Sequence, residues 1–252
     1  MIISYSRRFV IFAPWKTASS TMAVRLAGFN ESPYSRFYHF NRHLNRIVHQ
    51  HLTYADYAAM PESRLGLFTA AFIRNPYDRV YSGFRQIQRA AFTQPVAVYP
   101  ERWIRDLVVK QVAGNFAKLC EAAFDFDRWW GGVNEYDIFD AGHNTSFPLH
   151  PAHYWTHSNG EQMVDFVGRV ETFETDFDRL CSHIGITVTS RENANVDVDP
   201  AHTGAPYKSA GLMSAASIAR INELFREDFE LFGYERLDPS RPRLAVLPSA
   251  PR

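Results

Sequence analysis

Residues 9–21 have the sequence FVIFAPWKTASST, and residues 65–82 have the sequence LGLFTAAFIRNPYDRVYS. Each stretch begins with an apolar run that is typical of a strand and ends in a pattern that is typical of a helix start. A loop that joins a strand to a helix can turn its backbone N–H groups toward a phosphate. The two stretches therefore predict two strands of a buried parallel sheet, with an anion site at the carboxyl ends of those strands.

The remainder of the chain alternates helical and strand-like patterns. Further helices are predicted over residues 20–28, 53–60, 101–126, 173–184 and 214–232, and a third strand is predicted over residues 164–170. Thr53 and Asn75 are predicted N-caps, and Pro76 is the predicted first residue of the helix that follows the second strand. Strands that alternate with helices predict an α/β fold with three layers, α/β/α, around a central parallel sheet. Residues 30–46 and 129–157 have no assigned regular structure.

Length and composition limit the possible classes of protein. The chain has 252 residues, of which 46% are hydrophobic, enough for one α/β domain over residues 1–237. The proline-rich residues 238–252 are predicted to be a disordered tail. Lysine plus arginine equals aspartate plus glutamate, at 27 each, so no overall charge favours nucleic acid or an anionic membrane. Any anion site must therefore be local.

The two cysteines, Cys120 and Cys181, form no metal-binding motif, and no metal site is predicted. His143, His150 and His153, with His157, are interpreted as surface or acceptor-site histidines rather than as metal ligands. The sequence shows no signal peptide and no apolar run long enough to cross a bilayer, which favours a cytoplasmic protein without a membrane partner. The sequence does not indicate an oligomeric state.

The loop over residues 16–21 suits an anion but does not follow the common nucleotide-binding pattern. Lys16 comes first, hydroxyl side chains follow, and glycine is absent, whereas the nucleoside triphosphatase motif requires glycines before a Gly-Lys-Ser/Thr sequence. No aspartate at a strand end is evident to hold the magnesium ion that phosphoryl transfer usually needs. In the second stretch, Arg74 and Ser82 offer a guanidinium group and a hydroxyl, which suit a phosphate monoester.

These residues resemble a known family. Residues 16–21 (KTASST) are similar to the 5′-phosphosulfate loop of sulfotransferases that use 3′-phosphoadenosine 5′-phosphosulfate (PAPS), and residues 73–82 (IRNPYDRVYS) to their 3′-phosphate motif. Residues 51–57, 167–171 and 227–234 also fit the carbohydrate sulfotransferase branch and its bacterial relatives. Two departures are Ser19, where many members have glycine, and Trp15, where proline is common. Neither departure removes an anion-binding group.

The resemblance implies metal-free transfer of a sulfuryl group from PAPS to an acceptor hydroxyl, with a carbohydrate or glycoconjugate as the expected acceptor. Lys16 is expected to neutralise charge on the bridging oxygen as the S–O bond breaks. Arg74 and Ser82 are expected to bind the 3′-phosphate, and Lys208 is a further expected phosphate contact. The residues expected to hold the 5′-phosphate, together with Lys16, are Thr17, Ala18, Ser19, Ser20 and Thr21.

The reaction also needs a base for the acceptor's proton. His51 is the expected base because imidazole titrates near neutral pH and relatives use a histidine between the two donor motifs; His49 is the reserve. Two other functions remain open: an atypical P-loop-like kinase that depends on magnesium, and a protein that binds a nucleotide or glycan without catalysis. The pair Trp129 and Trp130 is open to two interpretations, core packing or a platform for sugar rings.

Overall fold

A computed structural model describes residues 1–35, 38–93, 101–135, 138, 149–194 and 207–240. The chain divides into two compact units, one of Met1–Arg74 with Asn134–Val196 and one of Asn75–Val133 with Asp197–Arg252. The single domain over residues 1–237 stays a prediction. Within the predicted disordered tail, residues 241–252 lie outside the described residues.

The described strands and helices follow in chain order. The strands are β1 (Ile2–Ser4), β2 (Phe9–Phe12), β3 (His39–Asn41), β4 (Arg46–Val48), β5 (Phe68–Ile73), β6 (His157–Ser158), β7 (Glu161–Gln162) and β8 (Phe166–Arg169). The α-helices are α1 (Ser19–Arg25), α2 (Tyr54–Ala58), α3 (Pro76–Thr93), α4 (Arg102–Glu121), α5 (Phe126–Gly132), α6 (Phe173–His183), α7 (Ala215–Leu224) and α8 (Arg226–Phe232). Short 3-10 helices include Ala27–Phe29, Pro33–Ser35, Pro61–Leu65, Ala152–Trp155, Val170–Thr172 and Ala210–Leu212.

A four-stranded sheet in the order β1-β2-β5-β8 forms the centre of the first unit. Strands β2, β5 and β8 are parallel, and β1 pairs with β2 in the antiparallel direction at the edge. The prediction of an α/β fold is confirmed, whereas the predicted parallel sheet is mostly parallel, because β1 runs antiparallel at its edge. Strand β1 was not predicted, because three residues are too few to show a period.

The residues of β2 alternate between two buried clusters. Phe9 and Ile11 join a cluster with side chains from α1 and α6. Val10 and Phe12 join a second cluster, with side chains from α2 and from the 3-10 helix Ala152–Trp155. Successive residues of a strand point to opposite faces of the sheet, so β2 is covered on both sides. This double burial explains why its sequence is apolar throughout.

Several predicted helix boundaries needed correction. The helix predicted over residues 20–28 ends at Arg25, and Gly28 lies in a 3-10 helix instead of ending α1. The helix predicted over residues 101–126 is interrupted by a turn, because Asp125 caps α5 by accepting the N–H of Arg128. The helix predicted over residues 214–232 breaks at Phe225, whose φ of −110° and ψ of 25° are not helical. The spacing of apolar residues indicates which face of a helical segment is buried. It does not reveal a break after which the same face stays buried.

Helices α3, α4, α5, α7 and α8 make up the described helices of the second unit. Trp129 and Trp130 are 4% and 0% exposed, and their rings lie 5.2 Å from Phe84 and 6.3 Å from Phe225, respectively. The interpretation of the tryptophan pair as a platform for sugar rings is therefore wrong. The two rings fill the core of this unit.

Candidate functional site

The loop between β2 and α1 has an unusual backbone. Lys16 and Ala18 have φ angles of 66° and 63°, in the left-handed region that residues with a side chain seldom adopt. Ala18 precedes Ser19, the first residue of α1, and a left-handed residue next to a right-handed one is the backbone pattern typical of anion-binding nests. The absence of glycine therefore has not prevented this geometry, and the strain falls on Lys16 and Ala18 rather than on Ser19.

Two hydroxyls of this loop stabilise its fold. Thr17 is 1% exposed and donates to the carbonyl oxygen of Pro14 at 2.8 Å. The hydroxyl of Thr21 donates to the carbonyl of Ala194 and accepts its N–H, each at 3.2 Å. The half-buried Ser19 makes no side-chain hydrogen bond with any described residue. Of these three hydroxyls, that of Ser19 is the one suited to a ligand.

The structure brings His51 to the same loop. Its ring is 4% exposed, and Nδ1 donates to the carbonyl oxygen of Ala13, directly after β2, at 2.5 Å. This bond places the proton of the neutral ring on Nδ1 and the lone pair on Nε2. The side-chain nitrogen of Gln50 lies 3.4 Å from Nε2. His51 therefore has the tautomer that a proton acceptor requires.

The charge state of His51 follows from its surroundings. Burial lowers the pKa of His51 to about 3, and the charge on Lys16 acts in the same direction, whereas the bond to Ala13 opposes the shift. The ring is therefore neutral at physiological pH. The effect of Lys16 on this pKa also makes the two predicted catalytic side chains electrostatic neighbours.

His49, the reserve base, lies beside His51. Its Nδ1 accepts the backbone N–H of His51 at 3.0 Å, and the two ring centroids are 5.2 Å apart. Burial, followed by the charge of His51, holds the pKa of His49 well below its usual value. Since Nδ1 of His49 is used to hold the backbone of His51, its geometry fits a supporting position.

Arg74 and Ser82 belong to different units. Arg74, the residue after β5, is half-buried and has no hydrogen bond or ion pair with any described residue. Ser82 lies in α3 and is 7% exposed, and its hydroxyl likewise has no hydrogen-bond partner among the described residues. In particular, it does not bond back to its own helical turn. Their joint contact with one phosphate stays a prediction.

The start of α3 forms as the sequence predicted. Asn75 accepts the N–H of Asp78 at 2.8 Å, and its side-chain nitrogen donates to the Asp78 carboxylate at 2.9 Å. Pro76 is the first helical residue. Arg79 is fully buried and lies 3.6 Å from the carboxylate of Asp228. It stabilises the second unit by pairing with α8.

Lys208 is exposed and lies between Tyr207 and Ser209, both of which are buried. It has no ion pair with a described residue. Residues 202–206, which precede it in the chain, lie outside the described residues.

His150 is a buried residue near this site that the sequence did not assign to it. It is 2% exposed, and Nδ1 donates to the carbonyl of Ile138 at 2.5 Å. Its charge contributes to the lowered pKa values of both His49 and His51. The interpretation of His150 as a surface histidine is therefore wrong, and no local sequence signal separates it from the neighbouring histidines. His143 lies outside the described residues.

Within the described parts of the chain, no group of three or more His, Cys, Asp or Glu side chains is arranged to hold a metal ion. None of the described helices is both long enough and apolar enough to span a lipid bilayer.

Comparison with known proteins adds a family to this geometry. Searches of curated proteins and of solved structures returned no match. A family model described as "Sulfotransferase family" matches residues 9–235, which include the loop after β2, His51 and the Arg74 motif. Because the match extends over most of the 252 residues, the chain belongs to the sulfotransferase family.

Proposed function

We propose that this sulfotransferase takes its sulfuryl group from PAPS and transfers it to a hydroxyl of a carbohydrate or glycoconjugate. The observation that carries the proposal is the juxtaposition of the strained loop after β2 with a neutral His51 that is bonded to Ala13 in that loop. The loop suits the 5′-phosphosulfate, since its N–H nest and Lys16 are both complementary to an anion. The acceptor class rests on the resemblance of residues 51–57, 167–171 and 227–234 to the carbohydrate branch.

When bound, PAPS would supply the sulfuryl group, and the bond between sulfur and the bridging oxygen of the 5′-phosphate would break. Lys16 neutralises the charge that develops on that oxygen, which lowers the barrier more than it strengthens ground-state binding. Nε2 of His51 accepts the proton of the acceptor hydroxyl as the new O–S bond forms. His51 thus takes up the proton of the hydroxyl, and Lys16 neutralises the charge on the leaving oxygen, so this step needs no metal ion.

The low pKa of His51 fits this role in two steps. Without ligand, burial keeps the ring neutral, so its lone pair is not blocked by a proton. An anion bound at the loop would raise the pKa of His51, because nearby negative charge stabilises the imidazolium. The donor would thereby strengthen the base in the complex in which the base is needed.

Calorimetric titration tests the donor site. 3′,5′-Bisphosphoadenosine is the probe, ATP the competitor, and each is titrated with and without magnesium. We expect micromolar binding of the bisphosphate that does not depend on magnesium, and we expect Arg74→Ala to weaken it about tenfold through loss of a charged phosphate contact. The exposed Arg64 of the same unit supplies the control, since Arg64→Ala should leave binding unchanged. A preference for ATP with magnesium would favour the kinase alternative and overturn the proposal.

Turnover separates an enzyme from a non-catalytic binding protein. Lys16→Ala is expected to abolish sulfuryl transfer while bisphosphate binding weakens only modestly, because the lysine acts mainly on charge that develops during the reaction. His51→Ala should lower kcat far more than it changes the KM for the donor. Tight binding without turnover across a broad set of carbohydrate acceptors would favour the non-catalytic alternative.

A further inference from the structure

Asp78 lies on the same face of α3 as Ser82, one turn before it. Residues four apart in a helix are neighbours along one face. Both side chains are buried, with 4% exposure for Asp78 and 7% for Ser82, and the Ser82 hydroxyl has no hydrogen-bond partner among the described residues. A hydroxyl that no described protein group binds is available to a ligand as a donor or an acceptor.

The two carboxylate oxygens of Asp78 bind different parts of the chain. Oδ2 accepts the side-chain N–H of Asn75 at 2.9 Å and completes the cap of α3. Oδ1 accepts the backbone N–H of Ser209 at 2.7 Å, although the two residues are 131 positions apart. One carboxylate therefore both supports the Asn75 cap and fixes a remote segment at the first turn of α3.

That segment carries Lys208 between two anchored neighbours. Ser209 is held by Asp78, and the Tyr207 ring lies 5.2 Å from the ring of Tyr77, the second residue of α3. The hydroxyl of Tyr207 also donates to the carbonyl of Glu235 at 2.9 Å. Lys208 itself is exposed. Its backbone is thus fixed at the start of α3, one helical turn before Ser82.

We propose that Asp78 is a positioning residue, which holds Lys208 beside Ser82 so that the ammonium group and the hydroxyl bind the donor's 3′-phosphate together. This inference rests on the proposed use of PAPS. The Ser209 N–H lies 2.7 Å from Asp78 Oδ1, which fixes the adjacent Lys208 close to that carboxylate, and one helical turn of about 5 Å separates Asp78 from Ser82. An ammonium group and a hydroxyl together provide the donors that a phosphate dianion requires.

The test compares two nucleotides that differ by the 3′-phosphate. Dissociation constants for 3′,5′-bisphosphoadenosine and for 5′-AMP are measured by calorimetry on the full chain. Lys208→Ala and Asp78→Ala should each weaken bisphosphate binding about tenfold and leave 5′-AMP binding unchanged. Asp78→Ala in the Lys208→Ala background should add less than twofold, because Asp78 acts through Lys208. In turnover assays both variants should raise the KM for PAPS and leave kcat unchanged.

Two further variants separate positioning from folding. Asp78→Asn keeps an oxygen for the Ser209 N–H and should bind the bisphosphate within about twofold of wild type. Ser209→Pro removes that N–H and leaves Asn75 and the cap of α3 in place, so it should reproduce the loss seen for Asp78→Ala. This variant keeps the test decisive if Asp78→Ala does not fold.

Asp127 provides a matched control. Its carboxylate also accepts a backbone N–H, that of Ser214, at 2.9 and 3.1 Å. Asp127→Ala should leave binding of both nucleotides unchanged. Additive effects of Asp78→Ala and Lys208→Ala, or an equal loss for both nucleotides, would overturn the inference. If wild type binds the bisphosphate no better than 5′-AMP, the proposed PAPS site itself fails, and the two failures are thereby distinguished.

Discussion

Acidification from pH 7 to pH 5 is expected to destabilise the protein through His51. Burial lowers the pKa of this ring to about 3, whereas an imidazole in an unfolded chain has a pKa near 6.5. Between these two values the unfolded chain binds a proton that the folded protein does not bind. The free energy of unfolding therefore falls as the pH falls below about 6.5. Above that pH the ring is neutral in both states and the effect disappears.

The size of this effect follows from proton linkage. Each pH unit below the unfolded pKa costs about 1.4 kcal/mol, for as long as the folded ring stays neutral. From pH 7 to pH 5 the loss is about 2 kcal/mol. Since the folded pKa lies well below 5, this value depends mainly on the unfolded pKa. A loss of that size is a large share of the 5–15 kcal/mol that stabilises a typical domain.

Urea unfolding at pH 7 and pH 5 measures the loss. His51→Gln replaces the imidazole with an amide that does not titrate, so this variant should lose about 2 kcal/mol less than wild type on acidification. His43→Gln is the control, because His43 is exposed, and it should behave like wild type. An unchanged pH dependence in His51→Gln would refute the reasoning.

Three further predictions concern the loop, the buried ion pair and the base. Ala18→Gly should stabilise the protein by up to about 1 kcal/mol in thermal unfolding, because the relief of left-handed backbone strain exceeds the cost of the entropy that glycine adds to the unfolded chain. Ala18→Val should destabilise the protein. Destabilisation by both variants would contradict the strain at Ala18. Asp228→Ala removes the carboxylate that pairs with the buried Arg79 and should cost about 3–5 kcal/mol in urea unfolding, whereas a cost below about 1 kcal/mol would contradict a buried pair. Bisphosphate binding near pH 5.5 should be accompanied by proton uptake, which is measured as a dependence of the calorimetric heat on the ionisation enthalpy of the buffer. His51→Gln should reduce this uptake. Equal uptake in both proteins would argue against a donor-induced rise in the pKa of His51.

Local signals account for the parts of the fold that the sequence predicted well. Strands β2 and β5 are visible because burial on both faces demands apolar side chains at nearly every position. The caps at Thr53 and Asn75 are visible because each is completed within three residues of the chain. In both cases the residues that specify the structure are also the residues that adopt it.

The relations that build the candidate site are not local. The bond from His51 to Ala13 spans 38 positions, and the bond from Ser209 to Asp78 spans 131. A hydrogen bond to a backbone group places no demand on the residue type of its partner, so neither pairing leaves a matching pattern in the sequence. The burial of His150 likewise leaves no pattern in the sequence, because its partner is the backbone carbonyl of Ile138.

The loop after β2 shows how such distant contacts replace a sequence rule. Glycine is the residue expected at left-handed positions, yet Lys16 and Ala18 occupy them here. A strained backbone persists only where its surroundings fix it, and two hydroxyls of this loop provide that support: Thr17 binds Pro14 within the loop, and Thr21 binds the remote backbone of Ala194. The hydroxyls of Thr17 and Thr21, which the sequence suggests as phosphate contacts, thus stabilise the loop instead. In the proposed donor site, recognition would then be left to the backbone N–H groups, to Ser19 and to Lys16, so the proposed anion site does not require glycine.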